Sequence, residues 1–305
     1  MPRWPGIALA IGGALLALGA LVTIELDRQN AVDVDRGLLA LLALLGAVAF
    51  AAGLIYTGIR QIRVRRVLPP ERYRGPSVFI VLALALIIAG VLNAPFTADA
   101  VALTAGEGEL TLLGGIVILV ATQIGLLIVS WLLVYRPRAL DALPSFPGRD
   151  PLGALRSGFG WGLLAWLGST LALVAVGWVL EQFGRPPEPE AAERAIAMLE
   201  PWVVVIAIVI LAPIAEEVFF RGVVFNAWLR EGGRRWAYIG SAGLFAAIHL
   251  SLLSFLPIFL LGLALAWVYQ RKGSLLAPMA MHATVNGISV AMALLVRFEV
   301  VKLPV

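Results

Sequence analysis

Leu211-Ala-Pro-Ile-Ala-Glu216-Glu217-Val-Phe-Phe-Arg221-Gly-Val-Val-Phe225 places two adjacent carboxylates and an arginine inside an otherwise apolar segment. The segment runs from Trp202 to Leu229, which at about 1.5 Å per residue is long enough to cross a bilayer. Ionisable groups at that depth cost several kcal/mol unless they are paired or face protein or water, so they mark a site by default. Glu217 and Arg221 are four apart with the acid N-terminal, the favourable order for an ion pair within one helix. Glu216 points about 100° away and is left to interact with something else.

Composition makes the membrane reading general. The chain has 305 residues, 61% hydrophobic and 14% charged, with a strongly positive mean hydropathy. Apolar stretches of about 20 residues recur along it, which predicts an all-α polytopic membrane bundle rather than soluble domains. No cysteine is present, so disulfides, thiolate metal ligands and a cysteine nucleophile are excluded.

Nine transmembrane helices are expected, over about 6–25, 37–59, 77–94, 111–135, 158–180, 202–229, 237–253, 255–270 and 275–297. The first is read as a retained anchor, because its apolar run is too long for a signal peptide. With a cytoplasmic N-terminus and an outside C-terminus, sixteen of the 23 basic residues fall on cytoplasmic segments, among them Arg3, Arg60, Arg65, Arg72, Arg136, Arg149, Arg230, Arg271 and Lys272. The opposite loops hold acids such as Asp33, Asp35, Asp99, Glu107, Glu188, Glu190 and Glu200. The net charge of +4 is thereby explained by topology, not by nucleic acid.

The arginine-rich loop Gln61–Pro76 reads as a topology determinant or a contact for anionic lipid headgroups. The connector Pro186–Pro201 contains an amphipathic run, Ala191 to Leu199, suited to lying along the outer interface. Residues 1–157 are expected to form a four-span scaffold, and 158–305 a five-span core that carries the polar mid-membrane groups.

Both histidines of the chain lie downstream of the acidic pair in apolar spans. His249 has Phe245 four residues before it, and His282 has Asn286 four residues after it, each pair on one helix face. Counted at about 1.5 Å per residue from the cytoplasmic helix ends, Glu216 and Glu217 lie roughly 18–20 Å deep, His249 about 18 Å, His282 about 10 Å and Asn286 about 16 Å. Taken singly, each has a bland reading: a membrane histidine or asparagine bridges helices, and Glu217 with Arg221 satisfies itself. Their shared depth on different spans argues for one buried site instead.

A carboxylate beside a neutral imidazole holds and deprotonates water. A second histidine and an amide donor stabilise the oxyanion of a tetrahedral intermediate. Glu216, His249 and His282 are also a donor set for zinc with water in the open position. Either arrangement leads to peptide-bond hydrolysis within the membrane.

Glu216-Glu217-x-x-x-Arg221, Phe245-x-x-x-His249 and His282-x-x-x-Asn286, in that order and each in its own apolar span, resemble the CPBP superfamily of intramembrane proteases. That group includes the type II CAAX prenyl endopeptidases and bacterial proteins labelled Abi or bacteriocin-processing. The resemblance covers roughly residues 200 to 295. It implies Glu216 as the water-activating base assisted by His249, His282 and Asn286 at the oxyanion, and Glu217, Arg221 and Phe245 in support. The family has been described both as metalloproteases and as metal-free glutamate proteases, so zinc stays open. The implied partners are membrane lipid and a lipidated or membrane-bound peptide, of which prenylated CAAX substrates are one class, in a prokaryotic cell membrane. Two other readings are a non-catalytic scaffold or bacteriocin-immunity protein on the same fold, and a proton-coupled transporter. The transporter reading has no inverted repeat to support it.

Overall fold

The computed structural model describes residues 5–28, 36–105, 108–140, 146–184 and 191–300. Among them every regular element is helical. Of the loop charges named above, Arg3, Asp33, Asp35, Glu107, Glu188 and Glu190 lie outside the described residues, as does the start of the connector, 186–190.

The helices are α1 (Pro5–Arg28), α2 (Arg36–Arg65), α3 (Val78–Asn93), α4 (Thr97–Ala105), α5 (Leu112–Ser130), α6 (Pro151–Gln182), α7 (Ala191–Met198), α8 (Pro201–Val204), α9 (Ala212–Glu217), α10 (Asn226–Ala247), α11 (Leu252–Lys272) and α12 (Leu276–Arg297). Three π-helical stretches, Trp131–Tyr135, Val205–Leu211 and Val218–Phe225, continue α5 and join α8 to α9 and α9 to α10. Local chemistry sets the ends. Thr111 caps α5 by accepting from Gly114 N, and Asp150 caps α6 by accepting from Gly153 N. Gly273, in the left-handed region at φ 60°, ends α11.

Among the described residues, seven helices are long and apolar enough to cross a membrane, which makes this an integral membrane protein. Nine spans were expected. The first helix contributes a shorter apolar stretch, Pro5–Ala20, and Pro201–Ala247 counts as one run of 47 residues. That run doubles back at Gly233, whose φ of 79° no helix can hold. Phe220 and Phe245 sit with ring centroids 5.0 Å apart, whereas a straight helix would separate them by about 37 Å. The reversal brings the segment that ends at Phe245 back beside the one carrying the two glutamates.

The main core joins buried residues of α3 and α5 to those of the segment after α9 and of α10, α11 and α12, so helices from both halves of the chain share one interior. At the opposite end of the bundle, α7 buries Ile196 in a second cluster with Leu103 and Val290. Arg297 holds α7 there by donating to Ile196 O at 2.7 Å and Leu199 O at 2.6 Å. The arginine-rich loop docks beside the Gly233 break: Arg65 pairs with Glu231 at 3.0 Å, and Arg72 donates to Arg230 O at 3.2 Å.

Small residues let helices approach where no water is present to drive association. A Cβ on Gly158 of α6 would meet Ala277 O and the Ala280 Cβ of α12, the helix that carries His282. Gly158→Val is therefore expected to destabilise the protein by about 1–3 kcal/mol through overpacking, read as a lower melting temperature in detergent. Gly160→Ala, two residues on where nothing lies within 4 Å, is expected not to lower it.

Candidate active site

Pro213 determines how the glutamates are presented. Proline has no N–H, so a carbonyl in the turn below it loses its donor. In that turn the hydrogen bonds run five residues apart, as Ala212 N–H does to Ala207 O, and the carbonyl one step on is that of Ile208. Asn286 Nδ2 donates to Ile208 O at 2.9 Å and satisfies it from α12. The π-helical stretch after Glu217 is served in the same way. Tyr135 Oη donates to Val218 O at 2.9 Å, while Asn226 Nδ2 donates to Arg221 O at 2.7 Å and to the Tyr269 hydroxyl oxygen at 2.8 Å. The six residues bearing the carboxylates are thus gripped above and below by side chains of other segments.

Glu217 is fully buried, and its Oε1 accepts from Arg221 Nη1 at 2.9 Å and from His282 Nδ1 at 3.0 Å. Arg221 Nη2 donates to Gly262 O at 3.0 Å, so α11 joins the same network. Gly262 must be small, because a Cβ there would come within 3.0 Å of Ala242 on α10. The Arg221 guanidinium also lies 4.7 Å from the centroid of the Phe245 ring, a cation–π contact away from water.

Phe245 is the hub on the returning arm. Its ring meets His249 edge-on at 5.0 Å and His282 at 5.7 Å. The span predicted to run to residue 253 ends in the structure at Ala247, and His249 itself supplies the reason. Its backbone N–H bonds Ala246 O at 3.2 Å in a tightened last turn, and its Nδ1 lies 2.7 Å from Phe245 O, the carbonyl a continued helix would have filled. A carbonyl only accepts, so Nδ1 carries the proton and Nε2 the lone pair. His249 is exposed in the turn that follows, next to Leu250 at φ 53°.

Glu216 differs from its neighbour. Its side chain is 14% exposed and its Oε2 lies 3.9 Å from His282 Nε2; that oxygen, like Oε2 of the fully buried Glu217, has no hydrogen-bond partner among the described residues. The gap is too long for a direct hydrogen bond. His282, anchored through Nδ1 to the Glu217 carboxylate, presents Nε2 to this gap.

The structure therefore brings Glu216, Glu217, Arg221, Phe245 and His282 together, links His249 to them through Phe245, and sets Asn286 on the turn beneath Glu216. Gly262, Tyr135 and Asn226 are the participants the sequence reading missed. Their partners are the Arg221 guanidinium or backbone carbonyls released by π turns, and neither leaves a side-chain pattern in the sequence. No three His, Asp or Glu side chains among the described residues are disposed to hold a metal ion. Glu216 and His282 face each other, Glu217 is committed to Arg221, and the Nδ1 of His249 is turned to its own helix.

Residues 198–288 match the family model described as type II CAAX prenyl endopeptidase Rce1-like, a stretch that contains all of these motif residues. The UPF0177 protein YxdF of Lactococcus lactis subsp. lactis (strain IL1403) is 28% identical over 78 residues, 25% of this chain and 42% of that relative. The matched segment thus spans less than half of the relative's length. No solved structure matches the chain.

Removing one member of a buried ion pair leaves the other charge unpaired in a dry site. Arg221→Met is expected to cost about 3–5 kcal/mol, measured as a drop in the detergent-solubilised melting temperature. Asn286→Leu, which orphans one carbonyl, is expected to cost about 1–3 kcal/mol.

Proposed function

We propose that the protein is an intramembrane endopeptidase in which Glu216 activates a water molecule for attack on a peptide bond. The observation that carries the reading is the unpartnered Glu216 Oε2 facing, at 3.9 Å, a histidine whose other nitrogen is anchored by a buried carboxylate. A water in that gap donates one hydrogen to Glu216 and the other to His282 Nε2, which leaves its lone pairs free for a carbonyl carbon. As the C–O bond forms, Glu216 takes the water's proton. When the C–N bond breaks, it returns that proton to the departing amine. In this reading His282, rather than His249, is the direct partner of Glu216. Arg221 and Glu217 fix its ring, Asn286 steadies the turn that carries Glu216, and His249 meets the substrate from the exposed turn.

The match to the type II CAAX prenyl endopeptidase family over 198–288 supports the assignment to proteolysis. The proposed substrate is a lipidated or otherwise membrane-bound peptide or propeptide. The lactococcal relative supports a place in a prokaryotic cell membrane, and the loop charges support a cytoplasmic N-terminus. No step of this mechanism passes through a metal.

The test is cleavage of a membrane-peptide library that includes farnesylated peptides, by the purified protein in lipid. Glu216→Gln is expected to lower the rate about a thousandfold with an unchanged melting temperature. A strong chelator is expected to leave the wild type active; loss of product restored by added zinc would contradict the metal-free step. Full biological activity of Glu216→Gln in cells would contradict the protease reading and favour a scaffold.

A further inference from the structure

Away from the carboxylates, on the face where the sequence concentrates its arginines, a cavity of about 240 Å³ separates the start of α6 from the turn between α11 and α12. Arg149, Asp150 and Gly153 line one wall; Lys272, Gly273 and Ser274 line the other. The walls are tied together. Ser274 Oγ donates to Pro147 O at 2.8 Å and accepts from Leu276 N at 3.1 Å, so the turn is fastened to the chain leading into α6. Gly273 turns the backbone at φ 60°, where a side chain would be strained. Asp150, the single carboxylate among the described lining residues, is used within the protein, since it accepts from Gly153 N at 2.9 Å as the cap of α6. The N-terminus of α6 is thereby occupied, and the two cationic side chains, brought from separate segments, set the character of the cavity.

Its level relative to the bilayer can be read from the aromatic residues beside it. Trp161 of α6 and Trp267 of α11 meet edge-on at 4.8 Å, and the Arg271 guanidinium lies 5.3 Å from the centroid of the Trp267 ring. Tryptophan with a neighbouring arginine marks the boundary between hydrocarbon and headgroups. Lys272 follows Trp267 by five residues, about 7.5 Å along the helix, which sets the cavity at the depth of lipid phosphates. Its volume equals that of about eight water molecules, enough for a phosphate with part of its alcohol.

We infer that this cavity binds the phosphate of an anionic membrane lipid between Arg149 and Lys272. The guanidinium engages two phosphate oxygens through its paired N–H groups, and the ammonium supplies a point charge from the opposite wall. The lipid tails leave along the Trp161 and Trp267 face. The site stands apart from the reading of Glu216 and holds whether or not the protein cleaves peptides. The same phosphate chemistry is offered by soluble ions, so lipid and solution phosphate are compared directly.

The experiment uses the full chain in phosphatidylcholine nanodiscs, with bound lipid counted by native mass spectrometry as phosphatidylglycerol is added. Glycerol 3-phosphate and inorganic phosphate are the soluble arms. The wild type is expected to retain phosphatidylglycerol over phosphatidylcholine, and Arg149→Ala/Lys272→Ala to bind it about tenfold more weakly. The charge-keeping exchange Arg149→Lys/Lys272→Arg is expected to retain most binding, as is Arg136→Ala/Arg156→Ala, which removes two charges outside the cavity. Equal losses in both alanine pairs would overturn the inference in favour of diffuse surface charge. Binding of the soluble phosphates without phosphatidylglycerol would overturn the lipid assignment. Melting in pure phosphatidylcholine checks that each variant is folded; if the alanine pair is not, Arg149→Gln and Lys272→Gln replace it singly, each expected to weaken phosphatidylglycerol binding several-fold more than Arg136→Ala does, and equal effects would overturn the inference.

Discussion

The structure depends on a charge that cannot be left alone. Arg221 is buried within the bundle, and nothing there tolerates an isolated guanidinium. Glu217 neutralises it, the Gly262 carbonyl accepts its second terminal nitrogen, and Phe245 covers its face. Each of these partners belongs to a different part of the chain, so satisfying one arginine draws α9, α10 and α11 together. The same carboxylate oxygen then accepts from His282 and recruits α12. A cluster that is expensive to bury therefore specifies how four segments meet, and the ring of His282 is oriented as a consequence.

The second constraint is backbone satisfaction. Two π-helical stretches flank the six residues of α9, and each leaves carbonyls that lipid cannot hydrate. Asn286 and Tyr135 close them from α12 and from the end of α5. This gives the α5 region a part in fixing the carboxylates, in addition to its share of the common core. The result is a short, rigid platform with one carboxylate turned inward to the arginine and its neighbour turned toward a gap. Adjacent glutamates acquire different environments because the helix rotates by about 100° between them.

Much of this was legible in the sequence. Apolar run lengths gave the helices to within a few residues at most ends, and the Glu217–Arg221 pair followed from spacing alone. The reversal at Gly233 was legible too, since Arg230, Glu231, Arg234 and Arg235 interrupt the apolar composition between the expected spans 202–229 and 237–253. One feature was not legible. His249 was expected within a span, yet its own imidazole takes the Phe245 carbonyl and ends the helix, which moves the residue to an exposed turn. Spacing places both histidines within apolar spans but does not distinguish which one faces Glu216. That depends on how α10 and α12 pack, and hence on tertiary contacts such as the one between Phe245 and His282. Similarly, Gly262 contributes its own backbone carbonyl and Tyr135 a hydroxyl to the carbonyl of Val218, and residue type is a poor guide to such backbone partners.

The measurement closest to the central claim is the protonation of the His282 ring. The chain has only two histidines, so selective ¹⁵N labelling yields two imidazole signal sets, assigned with His282→Asn in detergent or nanodiscs. If Glu217 anchors the ring, His282 Nδ1 carries a proton, and Nε2 is the nitrogen turned to Glu216. Glu217→Gln then disturbs that pattern for His282 and leaves His249 unchanged. A bare Nδ1 with the proton on Nε2 would contradict the account, because the nitrogen facing Glu216 would then be a donor and the ring would not be held by the buried pair.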